Sequence, residues 1–530
     1  MNWDCFKANR REAMALIGGG AATLAAPAIA FPTSAIPAVQ DDIDAFMKAF
    51  DIPGIALAIV RPGAPPLTYA YGLRSLGSPA PLDTDTLFAI ASITKGFTAA
   101  AIAILVDEGK LGWNEPVVRY MPDFAMADAD VTRMMTVLDL LLHRSGLGLG
   151  EGDLLQFPHT DFSREQYLVA LRHLPLATGF RSEFAYDNML FVIAGLLIQR
   201  VSGLSWEDFI TQRLLRPLGM RSSVAAITRV QTSNIAGRHG RLGPPVRGIG
   251  NLELVGADES PSSAPAGGIH ASAKDIVHWL DVQLARGVLP DGRRLWSKAQ
   301  SDVMWNPRII VQSNNEPNAD TPVGPITQAV APGWSVSDFR GHRMLGHGGG
   351  LAGQSCSLQL LPGQGIGLAL FSNTEDYKVI QRLALALLDR LIGAPPFDWL
   401  GTTKVRIERD NREALATLGS KLTQRPPGGP TLPLDRYAGT YRDAWYGDII
   451  VEKRAGGLHI NFTHTSVYKS VLQPWGPDTF RTQFGRDIRE DALITFVIEE
   501  GRAIGMRLKA LSPLADFSYD FQDLHPLKVS

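Results

Sequence analysis

Ser92 and Lys95 stand three residues apart, just behind the apolar run Leu87-Phe88-Ala89-Ile90-Ala91. A serine hydroxyl is a poor nucleophile until a neighbour takes its proton, and a lysine whose pKa is lowered by burial can do that. From Ala99 to Val106 the chain is rich in Ala, Ile and Leu with no proline, and Gly109 closes the run. That pattern predicts a helix whose first turn carries both side chains. Residues i and i+3 of a helix are neighbours, about 5–6 Å apart at Cβ, so the amine can reach the hydroxyl. Two further stretches offer partners. Tyr186-Asp187-Asn188 sets a phenol and an amide two residues apart, on one side of an extended backbone. Gly346-His347-Gly348-Gly349-Gly350 precedes a strand and offers an imidazole with unobstructed backbone N–H groups. Each has an ordinary reading alone: Ser-x-x-Lys occurs by chance on solvated helices, Tyr-x-Asn is common, and a strand histidine is often a satisfied core residue.

The elements that must position these groups follow from periodicity. A short helix near residues 42–50 precedes Ile55–Val60 and Leu67–Tyr71, which flank Pro62-Gly63 as an antiparallel hairpin. Val137–Leu142 reads as a helix ending at His143-Arg144-Ser145-Gly146-Leu147, and Met189–Val201 as a longer one starting directly after Asn188. Ser205 and Ser272 open two more helices as N-cap residues. The polar stretch between Val311 and Gly333 reads as a surface loop, and Ser355–Leu361 and Ile366–Phe371 as adjacent strands. Residues 401–425 are a charged helical connector, and Pro426-Pro427-Gly428-Gly429-Pro430 is a breaker cluster that marks a domain boundary. From Asp435 to Phe521 short β-type runs alternate with turns, as in a small antiparallel barrel or sandwich.

A chain of 530 residues is too long for one ordinary core, so two domains are expected. The formal net charge of −2 gives no electrostatic footprint for nucleic acid or an anionic membrane. With only Cys5 and Cys356, a disulfide framework and a cysteine-type metal site are excluded. Arg10-Arg11 is followed by Ala13–Gln40 without a charge, ending in the small-x-small site Ala28-Ile29-Ala30. This resembles a twin-arginine export signal, and its glycines and Pro27 argue against a stable membrane span. The expected location is therefore periplasmic or secreted, with Cys5 lost alongside the signal and Cys356 left as a buried strand residue.

In this order and at these separations, the three chemical stretches resemble the penicillin-binding protein and class C β-lactamase-like serine hydrolases, over roughly residues 40–395. Ser92-x-x-Lys95 is similar to the family's first motif, and Tyr186-x-Asn188 to its second in the Tyr form. His347-Gly348-Gly349 stands where many β-lactamases carry Lys-Thr-Gly, a change frequent among the family's esterases and D-amino-acid-specific peptidases. Val106–Leu111, Leu142–Leu147 and Pro265–Ile269 agree with the connecting stretches, and the tail from Leu434 looks like the lipocalin-like domain of some members. The resemblance implies an α+β fold: an antiparallel sheet flanked by helices, a helical subdomain, and a small all-β, barrel-like C-terminal domain. The expected divisions are an export signal at 1–30, the hydrolase at 31–400, a connector at 401–433 and the β domain at 434–530.

It also implies roles. Ser92 attacks an amide or ester carbonyl, passing its proton toward Lys95 and Tyr186. The phenol, held partly ionised by the ammonium beside it, is the general base. Asn188 orients Lys95 and the substrate amide, and His347 contacts a substrate carboxylate or carbonyl. The N–H groups of Ser92 and Gly350, beside Gly349, form an oxyanion hole, each donor being worth about 10²–10³ in rate. No cofactor or metal is implied. The implied activity is an acyl-enzyme peptidase or amidase on small peptides with D- or unusual residues, linearised microcystin-type peptides among them. An esterase of the same fold, a β-lactamase, and a penicillin-binding scaffold without turnover are the alternatives. The expected partner is a small molecule or short peptide, with no nucleic acid and no membrane span in the mature chain; oligomeric state is not encoded legibly. The C-terminal domain is either structural support or an aromatic wall at the mouth of the site.

Overall fold

The computed structural model describes residues 35–243, 247–313, 323–423, 426–485 and 490–530. The segment read as an export signal, with Cys5, lies outside the described residues. Helix α1 (Ala35–Phe50) leads into β1 (Gly54–Val60) and β2 (Leu67–Gly72), the expected hairpin, with Ile55 opposite Tyr71. Every residue of β1 is buried, which is why its sequence is apolar throughout rather than alternating. Ile55, Leu57 and Ile59 join one core, Ala56 and Ala58 the other.

Strands β3 (Ile309–Ser313), β4 (Thr327–Ala331), β5 (Trp334–Phe339), β6 (His342–Leu351), β7 (Gln354–Leu361) and β8 (Ile366–Ser372) complete an eight-stranded antiparallel sheet, in the order β2-β1-β8-β7-β6-β5-β4-β3. Helices α2 (Thr94–Asp107), α3 (Met189–Ser202) and α4 (Ala273–Leu284) belong to the core on one side of the sheet. Helix α5 (Tyr377–Ile392) packs with α1 on the other. Helix α2 is apolar all round and almost wholly buried, the pattern of a central helix, and Phe97 stacks on Trp279 of α4 at 3.6 Å.

Two local expectations are corrected. Val137–Leu142 is not a helix: only a single 3₁₀ turn, Asp139–Leu141, forms. The buried Asp139 carboxylate instead draws in Arg144, Arg181 and the Thr136 hydroxyl, which pins the chain in a turn. The stretch 311–333 is not wholly a loop, because it contains the end of β3 and all of β4. Strand β3 lies at the sheet edge with Ile310 and Val311 exposed, so it lacks the covered face that makes a strand conspicuous.

Helix α6 (Trp399–Thr423) connects to the second unit. There β9 (Gly439–Asp443), β10 (Gly447–Arg454), β11 (Gly457–Phe462), β12 (Lys469–Gly476), β13 (Thr479–Arg481), β14 (Ala492–Glu499), β15 (Arg502–Ala510) and β16 (Leu527–Lys528) form a closed barrel. Tyr437, Tyr441, Phe480 and Phe496 meet edge to face inside it. The two-residue β16, too short to read in advance, completes the closure by pairing with β9 and β15. Before reaching it, the chain from Leu511 crosses back to the first unit. Phe162 also stacks on His464 of the barrel at 4.2 Å. Among the described residues no single helix is long and apolar enough to cross a membrane.

Candidate active site

A 3₁₀ turn, Ala91–Ile93, delivers Ser92 to the start of α2. Ala91 has φ 44, a left-handed conformation that residues with a Cβ rarely adopt. Ser92 is half-buried at a cleft of about 1110 Å³, while Lys95 is wholly buried beneath it. The Lys95 Nζ lies 3.0 Å from Ser92 Oγ, 2.7 Å from Asn188 Oδ1 and 2.9 Å from the Ala266 carbonyl. Asn188 Oδ1 and the Ala266 carbonyl can only accept and each take an N–H, leaving the third position on nitrogen to Ser92. Burial pushes the amine down to about 7, against the pull of the Asp153 and Asp187 carboxylates. Near neutrality the amine therefore has a lone pair to offer the serine hydroxyl.

Tyr186 donates its phenolic hydrogen to Ser92 Oγ at 2.8 Å. Burial holds this phenol well above its ordinary range, more strongly than the Ser92 hydrogen bond lowers it. Burial works against the partly ionised phenol that was expected, and of the two groups it is the lowered Lys95 amine that is readily neutral near pH 7. The ring is stacked on His143 at 4.2 Å and met edge-on by Phe517 at 5.7 Å. His143 accepts the Asp187 N–H at Nδ1, and burial keeps its imidazole from charging.

Asn188 begins α3 with helical angles (φ −92, ψ −27), so its convergence with Tyr186 comes from a turn and not from extended backbone. Both ends of its amide are engaged, Oδ1 by Lys95 and Nδ2 by Asp153 at 2.8 Å. It orients the lysine as expected, with its amide committed to protein partners. His347 lines the cleft with Nδ1 2.6 Å from the Gly348 carbonyl, a contact that requires the proton on Nδ1 and leaves Nε2 an acceptor. Burial, helped by Lys95, pushes its pKa down to about 3. A neutral ring of this tautomer presents an acceptor, which suits an N–H better than the carboxylate or carbonyl that was expected.

Gly349 sits opposite Cys356 in the β6–β7 ladder. A Cβ there would come within 2.6 Å of the Cys356 sulfur and 2.8 Å of the Ile90 carbonyl. Glycine is what lets β6 lie against the turn that carries Ser92. Cys356 is buried as expected and donates to that same carbonyl at 3.2 Å. Gly350 is exposed and lines the cleft beside Ser92. All seven residues singled out by spacing are gathered at this cleft or directly beneath it.

Sequence reasoning missed His143, Asp153, Phe517 and Ser518 as site residues. His143 lay in a stretch read as the end of a helix and as one of the family's connecting segments, and Phe517 in the tail read as the appended β domain. Asp153 and Ser518 carry no local signal.

A family model described as Beta-lactamase matches residues 39–390, which contain Ser92, Lys95, Tyr186, Asn188 and His347. The chain belongs to the beta-lactamase family. Residues 423–526 of this beta-lactamase-family protein match a domain of unknown function, DUF3471. An unguisins hydrolase of Aspergillus campestris is 28% identical over 435 residues, 78% of each chain. Penicillin-binding protein 4 of Amycolatopsis lactamdurans is 29% identical over 344 residues, covering 63% of this chain and 84% of that relative. The octameric penicillin-binding protein homologue from Pyrococcus abyssi superimposes with a TM-score of 0.58 at 20% identity, covering 93% of this chain and 100% of its own. This family member is a serine hydrolase of the β-lactamase/transpeptidase-like fold, with a closed barrel appended.

Proposed function

We propose that the protein is an exported acyl-enzyme amidase or peptidase acting on small peptides, those with D- or otherwise unusual residues foremost. The observation that carries this reading is the Tyr186 hydroxyl set 2.8 Å from Ser92 Oγ at the cleft. As Ser92 Oγ bonds to the carbonyl carbon, its proton passes to neutral Lys95. When the tetrahedral adduct collapses, the C–N bond breaks and Tyr186 gives its proton to the leaving nitrogen. The proton held by Lys95 returns to the phenolate. The first half-reaction ends with acyl-Ser92, a free amine, neutral Lys95 and protonated Tyr186. Water then takes the place of the amine in the reverse sequence, releasing the acid. An amine needs such a proton donor to leave, whereas an ester's oxygen needs it less. The N–H groups of Ser92 and Gly350 would hold the developing oxyanion.

The His347 Nε2 acceptor suits a substrate N–H, which again favours an amide. His-Gly-Gly in place of Lys-Thr-Gly fits a D-amino-acid-specific peptidase as well as an esterase, and one relative is named an unguisins hydrolase; linearised microcystin-type peptides are one class to try. Phe517 at the cleft mouth supports small ones. The Arg10-Arg11 leader supports a periplasmic or secreted location. Turnover of D- and L-aminoacyl p-nitroanilides beside p-nitrophenyl acetate tests the reading. Turnover of the anilides, with the D series preferred, is expected; hydrolysis of the ester alone would overturn it in favour of an esterase.

A further inference from the structure

We propose that Asp153 and Ser518 are positioning residues: a relay by which the docked barrel segment sets the reactivity of Ser92. Asp153 is wholly buried and accepts three side-chain hydrogen bonds. Its Oδ2 takes Asn188 Nδ2 at 2.8 Å and Ser518 Oγ at 2.7 Å, and its Oδ1 takes Gln156 Nε2 at 2.7 Å. Nδ2 of Asn188 donates to Asp153, whose ionised form has no hydrogen to give and so holds the amide against flipping. Its Oδ1 must then face Lys95, fixing one of the two acceptors that hold the amine's lone pair toward Ser92.

The other half of the relay comes from 365 residues along the chain. Two residues beyond Ser518, the buried Asp520 accepts the backbone N–H of Gly152 at 2.7 Å and of Leu154 at 2.9 Å. Segment 518–520 therefore grips the backbone on either side of Asp153 while Ser518 holds its side chain. A carboxylate buried without a cation in contact is costly, and a purely structural clamp would be better built from neutral groups. Here the charge of the ionised carboxyl stands one amide behind Lys95, where it opposes the desolvation of the ammonium. Asp187 faces Lys95 as well, as do the His143 and His347 rings, both kept uncharged by burial. Burial raises the Asp153 carboxyl to about 7, and it faces Asp516, Asp520, Tyr167 and Tyr186 besides Lys95.

This inference rests on the reading of Ser92 as nucleophile, so full-length Ser92→Ala is measured alongside. The readouts are the rate of active-site labelling by a fluorophosphonate and the pH profile of p-nitrophenyl acetate hydrolysis, with melting temperature as the folding check. Outer partners of reactive groups typically matter about 10- to 100-fold. Ser518→Ala is expected to slow labelling by about that factor, and Ser518→Thr, which keeps the hydroxyl, to restore most of it. Asp153→Asn is expected to slow labelling at least as much and to move the acid limb of the profile to lower pH, because loss of a nearby negative charge favours the neutral amine. If Asp153→Asn does not fold, the Ser518 pair decides. Wild-type labelling in folded Ser518→Ala, a threonine variant as slow as the alanine one, or slower Asp153→Asn with an unmoved profile would each overturn the relay. Labelling that survives in Ser92→Ala would instead overturn the reading beneath it.

Discussion

The two sides of Ser92 are built by opposite means. On one side the nucleophile and its base stand three residues apart, where the 3₁₀ turn carrying Ser92 runs into the helix carrying Lys95. On the other, Asn188, Asp153 and Ser518 converge from separate segments, the last of them supplied by the barrel unit. The first arrangement supplies the chemical groups; the second fixes their direction. Chemistry can thus be written in a short motif, whereas its adjustment is distributed over the whole molecule.

Substitutions should grade along this contrast. Ser92→Ala is expected to remove turnover by a factor on the order of 10⁴ or more without loss of stability, checked by kcat and thermal melting. Tyr186→Phe keeps the ring stack and loses the proton donor, so anilide kcat should fall by about 10²–10³, with ester hydrolysis falling less. Lys95 must be neutral to act and its pKa is held at about 7. Protonation removes the base, so kcat/KM should drop about tenfold per pH unit below that value and level off above it. A profile flat through neutrality would show that Lys95 is not the base. Phe517→Ala should leave small substrates nearly untouched and raise kcat/KM for bulky ones by about tenfold, measured on a size series of anilides. At the bottom of the scale, Arg454→Ala breaks only an exposed pair with Glu452 and should change stability by about 0.5 kcal/mol or less.

What was legible follows the same division. The β1–β2 hairpin, the Ser92 helix and the run beginning after Asn188 announce themselves by local periodicity, because each buries a continuous face. Edge strand β3 does not, since it has no covered face to enforce alternation. The segment at Asp139 misleads because its leucines have helical spacing, while a buried carboxylate gathers two arginines and holds the chain in a turn. Asp153 is invisible for a different reason. A lone carboxylate between Gly152 and Leu154 reads as ordinary loop, and only a partner hundreds of residues away gives it a task. The expectation for Tyr186 changes because sequence discloses the nearby ammonium but not the depth of burial that opposes ionising the phenol.

Ala91 has a practical consequence for anyone seeking a sturdier catalyst. Glycine at this position would relax the bend ahead of Ser92 and is the exchange that a search for thermostable variants would select, with a gain of roughly 1 kcal/mol. The same exchange would loosen the aim of the attacking oxygen, so melting point and turnover should part company there.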